Sequence, residues 1–168
     1  MLILKEEDFI GKGSERACYL HPNDKNKAVK VTYKNNKREM NDWQHLPRFY
    51  GEVETNQGEG FIIEVIRDYD GEVSKTFAHY ITENGVDFHK KEIEEFKDYF
   101  LRNRIIFNYG MMPKNILLRK RSKEKTELVL IDGLGDVSHF TLPNKIPYFA
   151  RRRITRRWDK FINKYIKK

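Results

Sequence analysis

Two polar residues in the second half of the chain carry the oxygen donors that a small divalent cation prefers. Asn115 begins a predicted strand after the loop in MMPKNILL, and Asp132 ends the next predicted strand, before the glycine-rich turn in LVLIDGLGD. An amide oxygen and a carboxylate on adjacent strand ends suit Mg²⁺, which usually keeps waters and substrate phosphates as its other ligands. Because either residue alone is more often a turn former, the predicted metal site depends on the pair.

Two features nearer the start of the sequence could contact the phosphates of such a substrate. Gly11 and Gly13, in FIGKGSERACYL, lie between two predicted strands, where glycines let backbone N–H groups approach a phosphate closely. Arg16 stands where a third glycine would be expected, so an ordinary hairpin turn is an equally good interpretation. Lys30, in KAVKVTY, faces away from its valine neighbours in a predicted strand. Taken alone, a lysine of this kind is more often simply solvent-facing.

The elements that must position these residues follow from the apolar pattern of the first half. Alternation predicts strands over residues 2–10, 17–20, 28–33, 48–55 and 60–66. A turn rich in Pro, Asn and Asp is predicted over residues 21–27, and a short helix over residues 36–46, ended by Pro47. The first half is therefore predicted to be a β-rich sheet with one helix.

The second half has a more helical pattern. Helices are predicted over residues 74–84 and 87–104, the latter with Phe88, Ile93, Phe96 and Phe100 close to a 3.6-residue period. Two short strands follow, one beginning at Asn115 and one over residues 127–132. The basic stretch RKRSKEKT joins them and is predicted to be a hairpin tip.

The composition indicates a folded chain with one unusual segment. Its 168 residues are 39% hydrophobic and 13% aromatic, and the single cysteine, Cys18, excludes an internal disulfide. The net charge of +8 is concentrated in residues 145–168, which hold ten Lys and Arg residues and one acid; the rest of the chain has a net charge of −1. No apolar run approaches the ~18 residues of a membrane span. Because MLILKEEDF turns acidic too early for a signal peptide, a cytoplasmic protein is expected.

The basic segment predicts an amphipathic helix over residues 150–166. The apolar stripe consists of Ile154, Trp158, Phe161, Ile162 and Tyr165. In one interpretation the stripe packs on the body of the protein and the arginines stay solvated. In the alternative, Arg152, Arg153, Arg156 and Arg157 form a positive patch for the phosphates of nucleic acid, anionic lipid or lipopolysaccharide. Trp158 and Phe161 would also suit a membrane surface if they were exposed.

In their order along the chain, these motifs resemble those of the protein-kinase-like superfamily. Gly11-x-Gly13 is similar to the nucleotide-covering loop, and Lys30 in AVK is similar to the phosphate-binding lysine. Asn115 in PKN and Asp132 in DGLG resemble the metal-binding asparagine and the DFG aspartate. More narrowly, RFYGEVET, GEGFIIEVI, RDYDG and LRNRIIFNYGMMPKNILL, followed by the basic helix, resemble the YrbL family of small kinase-like bacterial proteins over nearly the whole chain.

The resemblance implies an α+β fold of the minimal protein-kinase-like type, formed as a single domain over residues 1–168. Residues 1–68 would form an N-terminal lobe with an antiparallel sheet and one helix. Residues 69–168 would form a truncated helical C-terminal lobe that ends in the basic helix.

The resemblance also implies ATP and Mg²⁺ as ligands. Lys30 would hold the nucleotide phosphates, and Glu39, in the helix predicted to follow, would orient Lys30. Asn115 and Asp132 would bind the metal, so that Lys30 and Asp132 would carry any catalysis.

The chain departs from active kinases in the catalytic loop. In those enzymes an aspartate precedes the asparagine by five residues, in a pattern such as H-x-D-x-x-P-x-N; here that position is Gly110, and Asn108 replaces the histidine. The 36 residues after Asp132 are also fewer than a full activation segment and substrate-binding helices need. Slow phosphoryl transfer, transfer of the AMP part of ATP, and nucleotide binding by a regulatory or degenerate protein all stay open. The rival hypothesis is a non-catalytic protein that binds phosphates through its C-terminal helix.

Overall fold

A computed structural model describes residues 1–12, 16–32, 42–108, 111–134 and 146–166. The chain divides into two compact units: Met1–Trp43 with Pro47–Arg67 form the first, and Gln44–Leu46 with Asp68–Lys168 form the second. Each unit contains its own antiparallel sheet, and the described residues hold seven strands and three α-helices. The predicted α+β class is confirmed.

The elements have the following bounds. The first unit contains β1 (Phe9–Lys12), β2 (Arg16–His21), β3 (Asp24–Thr32), β4 (Phe49–Thr55) and β5 (Gly58–Glu64). The second contains α1 (Phe77–Asn84), α2 (Lys90–Arg102), β6 (Ile116–Lys120), β7 (Thr126–Leu130) and α3 (Pro147–Phe161). Short 3₁₀ turns occupy Glu6–Asp8, Asp87–His89 and Pro113–Asn115, and a π-helical turn over Ile162–Ile166 follows α3.

The sheet of the first unit has the strand order β1-β2-β3-β5-β4, with every neighbouring pair antiparallel. Alternation along β3 places Val29 and Val31 on one face, where they pack with Leu4 in a buried cluster. Burying aliphatic side chains of this size contributes about 1.5–3 kcal/mol each. The antiparallel N-terminal sheet therefore agrees with the alternation in the sequence.

Two regions of this sheet differ from the prediction by more than two residues. Residues 2–10 are not one strand, because Asp8 closes a 3₁₀ turn: its carboxylate accepts from the Lys5 N–H at 3.1 Å, and its own N–H donates to the Lys5 carbonyl. The turn after β2 is shorter than residues 21–27, since β3 begins at Asp24. Lys27 is already paired with Glu64 of β5, so pairing with a neighbouring strand extends β3 backwards.

The helix predicted over residues 36–46 lies mostly outside the described residues, and Glu39 is among those not described. Its last residues, 42–46, are described and are not helical. His45 and Leu46 are buried in the second unit, where the His45 carbonyl accepts from the Leu130 N–H of β7 at 2.9 Å. Tertiary hydrogen bonding, which a local pattern does not reveal, determines the conformation there.

The core of the second unit forms around α2. Ile93, Phe96 and Phe100 are buried as the helical period predicts. Phe88 was predicted on the same face but is 78% exposed, because it lies in the 3₁₀ turn before the helix. His89 is buried in its place, with its ring 5.5 Å from that of Phe77.

Helix α3 packs its apolar side into the same unit. Ile154, Trp158 and Phe161 are buried, and the Trp158 ring lies 6.1 Å from Phe96 of α2. Ile162 and Tyr165, predicted to continue this stripe, are half-buried in the π-helical turn, where the α-helical period no longer applies.

Candidate functional site

The β6–β7 hairpin brings Asn115 and Asp132 to the same end of one sheet. Ile116 pairs with Leu130, and the ladder continues one step further, because the Ile131 N–H donates to the Asn115 carbonyl at 2.9 Å. Asp132 therefore follows directly after the residue that is hydrogen-bonded to Asn115. The two residues predicted to bind a metal therefore lie on neighbouring backbone segments of this unit.

The backbone around Asp132 is tightly turned. Gly133 has a φ of 99°, a conformation that L side chains rarely adopt, and its N–H donates to Asp132 Oδ1 at 2.8 Å. Asp132 is exposed and Asn115 is half-buried. A carboxylate offers about four lone-pair sites, of which the Gly133 N–H uses one.

The loop predicted from the motifs to resemble a kinase catalytic loop lies against the same turn. Phe107 forms an antiparallel bridge with Leu134, and the Asn108 N–H donates to the Gly133 carbonyl at 2.8 Å. Met111, which follows the undescribed Gly110, is buried and donates its N–H to the Asn108 carbonyl. Asn108 and Asp132 are thus held on neighbouring backbone segments of the second unit.

Arg157 supports this loop, whereas the sequence predicted it to be part of the basic patch. It is only 6% exposed, and its guanidinium donates to the carbonyl of Phe107. The prediction that Arg157 belongs to an exposed positive patch is therefore wrong. The sequence did contain a signal, because position 157 lies on the helical face of Ile154, Trp158 and Phe161.

The other three arginines of the predicted patch stay closer to solvent. Arg152 and Arg156 are exposed, as is Arg151, whereas Arg153 is half-buried. Trp158 and Phe161 are 3% and 5% exposed, so they cannot insert into a membrane surface while the helix stays packed.

Lys30 belongs to the first unit. It lies in β3 between the buried Val29 and Val31, and its register partners are Cys18 of β2 and Phe61 of β5. Lys30 is half-buried and Cys18 is half-buried beside it. The alternation predicted for this strand is therefore observed.

Of the two glycines predicted to cover a nucleotide, Gly11 is described and Gly13 lies outside the described residues. Gly11 is part of β1, where it pairs with Cys18. A Cβ added at Gly11 would have no neighbouring atom within 4 Å. The open space beside Gly11 is compatible with a close approach by a ligand and equally with an exposed strand residue.

The donor set is compatible with Mg²⁺ bound chiefly through phosphates. Within the described ranges, no three His, Cys, Asp or Glu side chains form a metal-binding group. Mg²⁺ commonly uses one or two carboxylates together with waters and substrate phosphates, and Asp132 with Asn115 would supply such a partial set. None of the described helices is both long enough and apolar enough to cross a membrane.

Comparison with known proteins gives matches over almost the full length of the chain. The model of the family described as PhoP regulatory network protein YrbL matches residues 2–166. Two curated proteins named YrbL, from Escherichia coli strain K12 and Shigella flexneri, are each 29% identical over 183 residues, which cover 96% of this chain and 87% of theirs. A crystal structure described as a kinase domain has a TM-score of 0.45 and 17% identity, over 82% of this chain and 55% of its own.

Proposed function

The chain belongs to the family described as PhoP regulatory network protein YrbL, as its motifs predicted, and on that premise we propose that it binds ATP with Mg²⁺ at the end of the β6–β7 hairpin. The observation that supports this proposal most directly is the hydrogen bond from the Ile131 N–H to the Asn115 carbonyl. This hydrogen bond holds the positions of Asn115 and Asp132 at one end of the hairpin. The asparagine precedes the aspartate along the chain, as it does in the kinase-like motifs.

Each residue of the proposed site has a separate role. Asn115 and Asp132 hold the metal through their side-chain oxygens, and Gly133 orients the Asp132 carboxylate through its N–H. When bound, Mg²⁺ neutralises charge on the nucleotide phosphates. Lys30 lies in the first unit, and its role in holding the nucleotide phosphates stays a prediction. The roles of Gly13 and Glu39 stay predictions.

The proposed site binds nucleotide with slow turnover or none. Gly110 provides no side chain to accept a proton, and general-base catalysis typically contributes about 10²–10⁴-fold to rate. The phosphoryl-transfer transition state is loose and depends mainly on positioning and electrostatics. We therefore expect any transfer, whether of the phosphoryl or the AMP group, to be slower by about that factor than in kinases that have the aspartate.

Thermal unfolding tests the binding step. ATP with Mg²⁺ at about 100 times its dissociation constant should stabilise the protein by about 2.7 kcal/mol, which corresponds to about 5–10 °C in Tm for a chain of this size. The Asp132→Ala variant should lose this shift, whereas Asp98→Ala, which removes an exposed carboxylate from α2, should keep it. The absence of a shift in the wild type, or an equal shift without Mg²⁺ or in Asp132→Ala, would contradict the proposal.

A labelling experiment tests the chemistry separately. ATP labelled at the γ-phosphate reports phosphoryl transfer to the protein or to a partner, and ATP labelled at the α-phosphate reports AMP transfer. Binding without incorporation of either label would identify a nucleotide-binding protein without transferase activity.

A further inference from the structure

One face of α3 carries a regular row of positive charges that the proposed nucleotide site does not use. Arg152, Arg156 and Lys160 follow one another at intervals of four residues, and all three are exposed. At a rise of 1.5 Å per residue, neighbours in this row are about 6 Å apart along the helix. We call these three residues the cationic row.

Within residues 146–166 the charge is almost entirely of one sign. Arg151 is exposed beside the cationic row and Lys164 is exposed beyond its end. Asp159 is the single acidic residue within residues 146–166. A surface of this kind attracts a polyanion through several phosphates at once rather than one small anion.

An exposed aromatic side chain precedes the cationic row in the same register. Tyr148 lies four residues before Arg152 and is 67% exposed. The neighbouring Phe149 is also exposed, and its ring centroid lies 5.4 Å from that of Tyr148 in an edge-to-face arrangement. Proteins that bind single-stranded nucleic acid combine positively charged side chains, which contact the backbone, with exposed aromatic rings, on which unpaired bases stack.

The opposite side of α3 is packed into the second unit, and this packing bears on which class of anionic partner the helix can bind. Ile154 and Trp158, on that side, are buried in the second unit, and Arg157 between them is bonded to Phe107. A helix that binds a bilayer must instead bury its apolar stripe in the lipid. The exposed surface of α3 thus presents positive charges and two aromatic rings, which fits a nucleic acid better than a membrane.

We propose that the exposed face of α3 binds single-stranded nucleic acid, with the phosphates on the cationic row and a base stacked on Tyr148. The row supplies affinity without sequence preference, because it contacts the backbone of the strand alone. Tyr148 favours unpaired bases over duplex, since bases within a duplex are already stacked.

Fluorescence anisotropy with a labelled oligouridine of about 16 nucleotides, and with oligothymidine of the same length, tests this inference. With three to four phosphate contacts, the logarithm of the binding constant should fall with the logarithm of salt concentration with a slope of about −2 to −3. The triple variant Arg152→Gln, Arg156→Gln, Lys160→Gln should lower the magnitude of that slope by about 2. Tyr148→Ala should weaken binding by about fivefold or more and leave the salt slope unchanged.

A charge-matched control keeps the test specific. The triple variant Lys91→Gln, Lys123→Gln, Lys125→Gln removes three exposed cations from α2 and the β6–β7 turn and should bind as the wild type does. Equal loss of binding in this control would overturn the proposal, because it would mean that net charge alone drives association. The proposal would also be overturned if Tyr148→Ala had no effect on oligonucleotide binding. A third contradicting result would be that vesicles of phosphatidylglycerol and phosphatidylcholine bind through the cationic row while neither oligonucleotide binds.

Discussion

The backbone N–H of Ile131 donates to the carbonyl oxygen of Asn115 at 2.9 Å, so the backbone places Asn115 next to the residue that precedes Asp132. This hydrogen bond does not involve the side chain of either proposed metal ligand. The two side chains can therefore be changed without removing the hydrogen bond that brings their positions together, which makes the metal hypothesis directly testable.

If Asn115 and Asp132 hold the same metal, their contributions to nucleotide affinity are coupled. Asn115→Ala and Asp132→Ala should each weaken Mg²⁺–ATP binding, and the double variant should lose less than the sum, with a coupling energy of about 0.5–3 kcal/mol. Isothermal titration calorimetry in the presence and absence of Mg²⁺ measures the cycle. Additive losses would mean that the two residues act independently and do not share an ion.

A buried ion pair secures the other end of the same hairpin. Arg119 and Glu127 are register partners, each with a side chain only 4% exposed, and their Nε–Oε1 distance is 2.9 Å. Glu127→Ala should lower the free energy of unfolding by about 3–5 kcal/mol, because it leaves a buried guanidinium without this carboxylate. The double variant Arg119→Met, Glu127→Leu should recover most of the loss in a urea titration. If the double variant is as unstable as Glu127→Ala, packing rather than charge explains the effect.

The sequence predicted what depends on local periodicity and missed what depends on register. The faces of α2 and β3 were predicted because their apolar residues repeat at the helix and strand periods. Arg119 was assigned to a basic hairpin tip, yet it is buried, because Glu127 lies opposite it in the ladder. Arg157 was assigned by its charge to the exposed patch, although its position in the helical period is on the buried face.

Gly60 of β5 is the register partner of Val31 and lies close to the backbone of β3. A Cβ added at Gly60 would lie 2.9 Å from the Lys30 carbonyl oxygen and 3.3 Å from Val31 Cα. Gly60→Ala should therefore destabilise the protein by about 1–3 kcal/mol, since backbone must move to relieve the contact. Gly11→Ala is the matched control: with nothing within 4 Å of the new Cβ, it should change the free energy of unfolding by at most about 0.5 kcal/mol. Equal effects of the two substitutions would contradict this explanation.

Arg156 and Arg157 are neighbours in sequence with opposite environments. Arg157→Met removes the donor to the Phe107 carbonyl inside the second unit and should destabilise the protein by about 1–3 kcal/mol. Arg156→Met changes an exposed side chain and should be neutral within about 0.5 kcal/mol. Chemical denaturation of both variants makes the comparison. A neutral Arg157→Met would show that the carbonyl of Phe107 does not need this donor.

Lys120, at the end of β6, gives the fold a predicted dependence on alkaline pH. Its Nζ lies 5.4 Å from the centroid of the Tyr80 ring of α1, and hydrogen bonding and charge at Tyr80 raise the pKa of Lys120 above its ordinary value, with smaller contributions from the charges of Asp68 and Asp70. Because the pKa is higher in the folded than in the unfolded state, the contribution to stability is fully present below about pH 10.4, the ordinary lysine value. It is lost as the pH rises through the folded-state pKa.

Tyr80→Phe removes the hydroxyl that accepts from Lys120 while keeping the buried ring. The difference in free energy of unfolding between wild type and Tyr80→Phe should therefore be largest near neutral pH and shrink as the pH rises above about 10.4. Urea titrations across this range measure the difference, and Lys125→Met, which changes an exposed lysine of the adjoining turn, serves as the control with no such trend. A difference that stays constant with pH would mean that Tyr80 stabilises the fold by packing alone, without a charged partner.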